Sequence, residues 1–520
     1  MNALTVLYGG ALSSQAYEKV FSGKNALALA LERGAAFPGA GKLVLLTKDP
    51  PPAGEISLPV PAPFEIVAAE GWNKKKLLNT LASLSAGFDL TYFAWADCPF
   101  LDPALAGTLA ERHLGYAAEY SYADGWPYGF APEILAPGIA GILAKIAGDD
   151  EGPVERDLLF SVIQKDINAF DIETEISPAD LRCHRLSLSA DSRRNLLLLT
   201  RFAEAGLSGA SGAEGLIAEK PGLLRTLPRF YPVQVTDACP QSCTLCPYPK
   251  MGGAGSAGGH FLDPARFGDL LDRIAAFSGD AVIDLSLWGE LSLHPEKMKL
   301  IEGVLSRPGL SLVIETSGLA WSPEELEEAA ALAASFREGP SPRVPPPLSW
   351  IVSLDAHDPG RYREIRGAGY SEAVETAKKL SALFPRDAYV QAVRVKGFED
   401  DIEAFYRFWK ERGMNVIIQK YDHFCGFLPE LRASDLSPVI RRPCWHLLRD
   451  MPVLLDGTVP VCREDIAASG GQGTKPVLGN IFSESPETIW ERGTDCYLEQ
   501  CSRVYSGICA ECDEYYTYNF

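Results

Sequence analysis

Apolar and polar residues alternate with two different periods along most of this chain. Short apolar runs, which are typical of buried β-strands, are followed by longer segments whose apolar residues recur at helical spacing. Between residues 231 and 430 this alternation occurs six times, and the runs that predict strands are YPVQVTDA, AVIDLSLW, LSLVIETSG, LSWIVSLDA, AYVQAVRVKG and VIIQKYD. Strands joined by helical crossovers form a parallel sheet. Since a closed barrel of this kind needs eight strands, six units predict a partial barrel.

The first part of the chain alternates in the same way. ALTVLYGG, KLVLLTKD and LTYFAWAD predict strands, and KNALALALERGAAF between the first two has helical spacing. The pattern predicts an α/β domain over residues 1–205 with a parallel sheet. Asp97 ends the third of these strands, at the edge where open sheets of this class bind ligands. Residues 206–230 are rich in Gly, Ala and Pro and predict a linker.

Length and charge narrow the range of functions. A chain of 520 residues is long enough for several domains with cores of their own. The net charge of −20 argues against nucleic acid as a partner, because binding to phosphates depends on Lys and Arg. No apolar run reaches the ~18 residues of a membrane span, and the first residues lack the basic segment of a signal peptide. We therefore expect a cytoplasmic protein, in which the 12 cysteines are metal ligands rather than disulfides.

Three cysteines directly follow the first strand of the predicted barrel. Cys239, Cys243 and Cys246 have the spacing C-x3-C-x2-C. Thiolates suit iron–sulfur clusters or zinc. Three of them leave one iron of a four-iron cluster without a protein ligand, and an open metal site indicates chemistry rather than structure alone. The alternative is a closed zinc site, for which His260 is the nearest histidine.

This spacing resembles the signature of radical S-adenosyl-L-methionine (SAM) enzymes. The resemblance implies a (β/α)6 partial barrel, which agrees with the six predicted units. It also implies that the open iron of a [4Fe–4S] cluster binds SAM, and that one electron from the cluster cleaves SAM to a 5′-deoxyadenosyl radical.

The resemblance extends to the ends of the later strands. WGEL resembles the family's GGE-type motif, ETSG its TNG turn, and the SLD of VSLDAHDPGRYREIRG its SLD motif. Leu291 replaces the usual Pro, and Leu245 replaces the aromatic residue that usually precedes the third cysteine. The residues that the resemblance implies as SAM contacts are Gly289, Glu290, Ser317, Ser353, Asp355, Arg366 and Arg394.

The segment after residue 430 is rich in cysteine. CWHLLRDMPVLLDGTVPVC predicts a β-hairpin whose end cysteines are close together, and CAEC near the end of the chain is a C-x2-C pair. Four thiolates are enough for one [4Fe–4S] cluster or one tetrahedral zinc. Residues 431–520 resemble a shortened SPASM domain, which implies an auxiliary [4Fe–4S] cluster on Cys444, Cys462, Cys509 and Cys512. Cys496 and Cys501 are then spare.

The first domain also resembles a known family. ADCPFLDPALAGTLAERH, AEYSYADGWPYGFAPEIL and VERDLLFSVIQ resemble the cytidylyltransferases of surface-polysaccharide synthesis, in which the residue matching Asp97 helps to hold metal and nucleotide. The opening loop lacks the family's Arg, and Lys19 and Lys24 are the only nearby bases. Because a triphosphate needs several cationic donors, we expect a degenerate nucleotidyltransferase-like domain that binds a partner or substrate. The order of the three domains resembles that of spiro-SPASM proteins.

These resemblances together predict a radical SAM enzyme. An electron donor such as ferredoxin or flavodoxin would supply the electron, and hydrogen would be removed from a peptide or protein, the usual substrates of SPASM proteins. In the sulfatase-maturing subgroup an Asp directly follows the cysteine that matches Cys462 and acts as a base. That position is Arg463 here, so Asp465 is the candidate catalytic residue.

Two other functions remain open from the sequence. In the first, the radical modifies a nucleotide-activated sugar or polyol that the first domain binds. In the second, the protein is a non-catalytic binding protein stabilised by its metal. The C-x3-C-x2-C motif speaks against the second, because a structural site would need a fourth ligand nearby.

Overall fold

The computed structural model describes residues 1–10, 12–51, 63–251, 259–336, 346–465, 473 and 475–517. The chain divides into two compact units, Met1–Thr226 and Leu227–Phe520. Within the described residues, no helix is both long and apolar enough to cross a membrane.

The first unit is built on one mixed sheet. The strands are β1 Ala3–Gly9, β2 Ala40–Thr47, β3 Phe64–Ala68, β4 Leu90–Trp95, β5 Tyr120–Asp124, β6 Glu133–Leu135 and β7 Ile172–Ile176. In the described residues their order in the sheet is β3-β2-β1-β4-β6-β5-β7. The short strand β6 runs antiparallel to both of its neighbours, and the other pairs are parallel. The helices are α1 Ala26–Ala35, α2 Lys74–Leu84, α3 Pro103–Gly115, α4 Ile139–Ala147, α5 Leu158–Ile163, α6 Arg193–Glu204 and α7 Ala213–Glu219.

Both faces of this sheet are buried, which explains its nearly continuous apolar strands. Ala3 and Leu7 of β1 belong to the apolar cluster on one face, and Leu4 and Val6 belong to the cluster on the other. Since neighbouring side chains of a strand point to opposite faces, one apolar run serves both layers.

The stretch predicted as a linker is folded over most of its length. Residues up to Thr226 belong to the first unit and include α7. Ala213, Ile217 and Leu224 are buried, and the Ala210 amide donates to the Asp102 carboxylate at 2.7 Å. The small residues of this stretch allow close packing. A composition rich in Gly and Ala is compatible with either a packed segment or a flexible linker, so the sequence alone did not separate the two.

The second unit contains the predicted partial barrel. The strands are β8 Phe230–Pro232, β9 Ala281–Asp284, β10 Leu310–Thr316, β11 Leu348–Ser353, β12 Ala388–Arg394 and β13 Asn415–Lys420. Within the described residues these six strands form one sheet in the order β13-β12-β11-β10-β9-β8, and every neighbouring pair is parallel. The α/β class and the six-stranded parallel sheet predicted from the sequence are therefore confirmed. The helices are α8 Pro264–Ser278, α9 Lys297–Leu305, α10 Pro323–Ser335, α11 Pro359–Ile365, α12 Tyr370–Leu383 and α13 Glu399–Lys410.

The interior of the sheet is layered. Phe230, Val282, Val313 and Ile351 form an apolar cluster, with Ile417 packed against it. Two residues further along their strands come the polar side chains of Asp284, Glu315, Ser353 and Gln419. Because side chains alternate with a period of two, these polar groups face the same interior, one layer nearer the carboxyl ends of the strands.

The C-terminal segment packs against the edge of this sheet. Its elements are α14 His446–Arg449, β14 Thr458–Pro460, β15 Val477–Asn480, α15 Pro486–Arg492 and α16 Thr494–Cys501. The amides of Met451 and Val453 donate to the carbonyls of Phe230 and Pro232 at 2.9 and 2.8 Å, so this segment extends the sheet beyond β8.

The hairpin predicted for this segment forms differently. The DG turn is present, because the Leu454 amide bonds the Thr458 carbonyl at 2.8 Å. However, the first arm pairs with β8 of the barrel, and the second arm, β14, pairs with β15. The first arm, which the local sequence pattern assigned to the hairpin, thus pairs with the open edge of the barrel sheet instead.

Candidate functional site

The three spaced cysteines lie at the carboxyl ends of the barrel strands. Cys239, Cys243 and Cys246 line one cavity of about 260 Å³. Burial raises the pKa of the Cys239 thiol to about 12 and that of Cys246 to about 11. Three half-buried cysteines that line one cavity are the ligand type that iron–sulfur clusters need, so the residues fit the cofactor that the sequence predicted.

The cysteine loop is fastened to α11 and to the loop after it. The Gln241 side chain donates to the Tyr362 hydroxyl at 2.9 Å, and the Thr244 amide donates to the Ile365 carbonyl at 2.9 Å. These bonds hold the loop against the element that carries Arg366.

Arg366 lies beside the cysteines and is held by Asp355. Its Nε donates to Asp355 Oδ2 at 2.6 Å, and its Nη1 lies 3.9 Å from Cys243 Sγ. Burial alone would lower the pKa of Arg366, but the negative charge of Asp355 outweighs it and the pKa is raised. Asp355 is itself fixed, because the Val393 amide donates to its Oδ1 at 2.8 Å. The cavity therefore holds an oriented, permanently charged guanidinium.

The WGEL loop lies against the opposite side of the cysteine loop. The Glu290 amide donates to the Ala238 carbonyl at 2.9 Å. The buried Glu290 carboxylate accepts from the Ser317 amide and from the Thr316 hydroxyl, both at 2.7 Å. A Cβ at Gly289 would lie 2.1 Å from the Thr236 carbonyl oxygen. The absence of a side chain at 289 is what allows the two loops to approach.

Ser353 completes the group of predicted residues that line this cavity. Its hydroxyl donates to Glu315 Oε1 at 2.6 Å, and Gln391 Nε2 donates to the same oxygen at 2.8 Å. The predicted SAM contacts that line the cavity together are Gly289, Glu290, Ser317, Ser353, Asp355 and Arg366.

Two predicted residues lie elsewhere. Arg394 donates to the Ser434 hydroxyl at 3.1 Å. It is one position beyond Val393, which lines the cavity, so the alternation of β12 turns it to the other face. Asp465 accepts from the Lys475 amide at 2.9 Å and lines neither of the two cavities of this unit that we describe. Arg463 lines both of them, so a candidate catalytic role at Asp465 has no support from its position.

The four predicted auxiliary cysteines come together in the C-terminal segment. Cys444, Cys462 and Cys509 lie close enough to Cys512 for their charges to interact. Gln500 spans two of them, because its Oε1 accepts from the Cys444 amide at 2.8 Å and its Nε2 donates to Cys509 Sγ at 3.3 Å. The donor set fits one [4Fe–4S] cluster.

A fifth cysteine joins this group, and sequence reasoning missed it. The thiol of Cys425 donates to Cys512 Sγ, and this bond lowers the pKa of Cys512. Cys425 comes shortly after β13, apart from the other four along the chain. Its position at the carboxyl end of a barrel strand was the signal that could have placed it near the site.

Asp97 of the first unit is already paired. Arg156 Nη1 and Nη2 donate to its two carboxylate oxygens at 3.1 and 2.6 Å, and Nη2 also donates to Asp191 at 2.9 Å. The guanidinium stacks 4.6 Å from the Trp95 ring. A cation of the chain itself thus occupies the position that the resemblance assigned to a metal.

Comparison with known proteins agrees with the barrel site. The sequence model of the Radical SAM superfamily matches residues 233–408, which include the cysteine loop and the strand ends around it. An uncharacterized protein of Treponema pallidum (strain Nichols) is 39% identical over 369 residues, covering 70% of this chain and 98% of its own length. The chain belongs to the radical SAM superfamily. It is a radical SAM enzyme, and enzymes of this superfamily use a [4Fe–4S] cluster and SAM.

Solved structures with similar folds include two kinds of protein. Streptococcus suis SuiB bound to S-adenosylmethionine is 13% identical, with a TM-score of 0.41 and coverage of 58% of this chain and 76% of its own. A cytidylyltransferase from Leptospira borgpetersenii is 14% identical, with a TM-score of 0.33 and coverage of 43% of this chain and 95% of its own.

Proposed function

We propose that this radical SAM enzyme removes a hydrogen atom from a peptide or protein, using Cys239, Cys243 and Cys246 as cluster ligands. The observation that carries the proposal is the single cavity on which these thiols and six strand-end residues converge. When bound, the cluster supplies the electron that cleaves SAM to the 5′-deoxyadenosyl radical.

The residues around the cysteines have distinct tasks in this proposal. Arg366, held by Asp355, offers its Nη atoms to the SAM carboxylate, which would replace the long contact of Nη1 with Gln241 Oε1 at 3.5 Å. The Glu290 carboxylate accepts a bond from the SAM ammonium and is kept in place by Thr316 and Ser317. The rings of Tyr248 and Trp288, 6.1 Å apart and nearly parallel, form an apolar wall that limits the access of water.

The C-terminal cysteines form a second metal centre in this proposal. Cys444, Cys462, Cys509 and Cys512 hold an auxiliary [4Fe–4S] cluster, because four thiolates satisfy all four irons. Held by these four residues, such a cluster would supply a site for electron transfer. An external donor such as ferredoxin or flavodoxin serves the open cluster.

Iron analysis and product analysis test both centres. Anaerobic reconstitution of the wild type should give about eight irons per chain, four for each cluster, and dithionite with SAM should release 5′-deoxyadenosine. Replacing Cys239, Cys243 and Cys246 by Ala should leave about four irons and abolish 5′-deoxyadenosine. Replacing Cys444 and Cys462 by Ala should remove the other four. Zinc in place of iron, with no SAM cleavage by the wild type, would overturn the proposal.

The peptide substrate rests on the resemblance of the C-terminal segment to SPASM domains. The holoenzyme, SAM and dithionite can be incubated with a deuterated cell extract separated into macromolecular and small-molecule fractions. Deuterium should appear in 5′-deoxyadenosine with the macromolecular fraction and should be lost when that fraction is digested with protease. Label from the small-molecule fraction alone would contradict a peptide substrate.

A further inference from the structure

A second cavity meets the cysteine-lined cavity inside the barrel. Its volume is about 540 Å³, within the range of small-ligand pockets. Apolar residues of the barrel interior, such as Val313 and Ile351, form part of its wall. The residues that line both cavities, called here the shared wall, are Asp284, Glu315, Gln391, Gln419, Lys420 and Arg463.

Two charged groups of the shared wall already bond neighbouring groups. Glu315 Oε1 accepts from Ser353 and Gln391. Lys420 Nζ donates to Asp513 Oδ2 at 2.8 Å, to Glu514 Oε1 and to the Tyr421 carbonyl at 3.4 Å. All three donors of the Lys420 ammonium are used and Glu315 has no donor to offer, so neither group is the anchor of an anion.

Arg463 differs from both. Its Nε donates to Glu464 Oε1 at 3.0 Å, and within the part of the chain that the structure describes its Nη atoms make no hydrogen bond. Its side chain is 27% exposed, and Arg463 lines both cavities. A guanidinium does not lose its proton in proteins, so Arg463 is charged. Arg463 therefore has two parallel N–H donors available for a ligand in these cavities.

Asp284 supplies an acceptor on the same wall. Its Oδ1 accepts from the Ser286 amide at 3.0 Å. A carboxylate offers about four lone-pair sites, so it can accept from a further donor. The side chain is 8% exposed, at the end of β9. A ligand there meets a guanidinium and a carboxyl oxygen within one enclosed space.

We propose that Arg463 binds a carboxylate of the substrate through its two Nη atoms, while Asp284 accepts a hydrogen bond from an adjacent N–H or O–H of the same molecule. This inference rests on the proposed function, because it places the substrate beside the cysteine-lined cavity. A carboxylate matches the two parallel donors of a guanidinium. A dianionic phosphate fits less well, because Glu464 and Asp284 would lie beside its second charge and Lys420 is already occupied.

Calorimetry on the reconstituted holoenzyme with SAM bound tests this anchor, with N-acetylglycine as the probe, because it has one carboxylate and an adjacent N–H. N-acetylglycine should bind the wild type. It should bind about tenfold or more weakly to Arg463→Gln, as expected for the loss of charged hydrogen bonds, and with intermediate affinity to Arg463→Lys. Arg407→Gln is the matched control, since Arg407 is exposed on α13 and pairs with Glu403, and it should bind N-acetylglycine as the wild type does. The neutral methyl ester of N-acetylglycine should not bind.

Three outcomes would overturn the inference. They are equal affinity of the wild type and Arg463→Gln for N-acetylglycine, no binding by the wild type, and tighter binding of inorganic phosphate than of N-acetylglycine. If Arg463→Gln fails to fold, a crystal structure of the wild type with N-acetylglycine decides, because the carboxylate must lie on the Arg463 Nη atoms. Release of 5′-deoxyadenosine by the wild type is measured separately. Its absence would reject the proposed function, whereas the binding of N-acetylglycine concerns Arg463 alone.

Discussion

At position 289 the fold leaves no room for a side chain. The WGEL motif marked this glycine in the sequence, but the reason for it is visible only in the fold. A Cβ there would meet the backbone of Thr236, which is far away along the chain and cannot move aside as a flexible side chain would. Motifs of this kind predict that a residue matters before they show why.

Gly289→Ala should therefore displace the WGEL loop. We expect weaker SAM binding, by about tenfold or more, and a lower melting temperature, because backbone strain of this kind costs of order 1–3 kcal/mol. Gly303→Ala is the matched control, since its Cβ would lie 3.6 Å from the Leu271 side chain, an ordinary contact within α9. Calorimetry with SAM and thermal melting measure both variants. Equal behaviour of the two would show that the loop has room to adjust.

A buried histidine in the first unit gives a pH dependence. Burial lowers the pKa of His113 from 6.5 to about 4, and its Nδ1 shares a hydrogen bond of 2.8 Å with the Ser121 hydroxyl. In the unfolded chain the imidazole takes up a proton near its ordinary pKa, whereas the folded chain resists this until the pH approaches 4. Its neutral form therefore stabilises the fold fully above pH 6.5, and this contribution falls as the pH decreases below that value.

Between pH 7 and pH 5 the wild type should lose about 2 kcal/mol of unfolding free energy through His113. His113→Gln keeps a polar group of similar reach without this titration, so its stability should fall less over the same range. Denaturant unfolding of the full chain at both pH values measures the difference. Parallel losses in the two proteins would mean that His113 titrates normally in the folded state.

At the scale of elements, the predictions that were confirmed are those that follow from the two-residue alternation of side chains along a strand. Alternation predicted every strand of the barrel, and the residues at the strand ends lie on one cavity wherever the register was read correctly. Arg394 was one position out of register, which is enough to turn a side chain to the other face. Asp465 was chosen as a candidate catalytic residue because it is close to Cys462 along the chain. In an irregular segment such closeness does not determine which way a side chain points. Cys425 and Arg463 reach the site through tertiary packing, which no local pattern records.

The end of β13 is where the barrel and the auxiliary thiols meet. Cys425 donates to Cys512, one of the four proposed ligands. Hydrogen bonds to ligand sulfurs are among the factors that set the potential of a cluster. Removing this donor should make the auxiliary cluster harder to reduce, because the thiolate loses a partner that stabilises added negative charge.

Cys425→Ala should thus keep about eight irons and show a more negative midpoint potential for the auxiliary cluster. Redox titration followed by electron paramagnetic resonance measures the potential, and Cys501→Ala, on α16, is the control. If Cys425→Ala instead loses about four irons, then Cys425 is a ligand and not a donor to one.

For the whole molecule, the first unit combines an intact α/β sheet with a blocked binding edge. The sequence correctly predicted the α/β class of this unit, but the predicted parallel sheet was wrong in one respect, because the short strand β6 runs antiparallel to both of its neighbours. The missing arginine in the opening loop led us to expect a degenerate domain. The sequence could not predict that Arg156, far along the chain from Asp97, would bond both oxygens of that carboxylate. Such a pair, desolvated on one side and stacked on Trp95, is not easily displaced by a metal ion.

Calorimetry with CTP and Mg²⁺ should accordingly show no binding by the wild type. Arg156→Ala releases the carboxylates of Asp97 and Asp191, and weak Mg²⁺-dependent heat is expected from that variant. Tight, Mg²⁺-dependent binding of CTP by the wild type would restore a nucleotide role to the first unit and favour a nucleotide-activated sugar as substrate.

The pairing of β8 with residues 451–453 has a consequence for how the protein is made. Synthesis runs from the amino end, and about 220 residues separate the two partners, so ribosomes adding about 5–20 residues per second need about 10–45 seconds to deliver the second one. During that time β8 presents an unpaired edge, which is a template for pairing with other chains. A ribosome that stops before residue 449 would therefore release an unsealed barrel, and we expect such shortened products to aggregate even though every strand of the barrel is present.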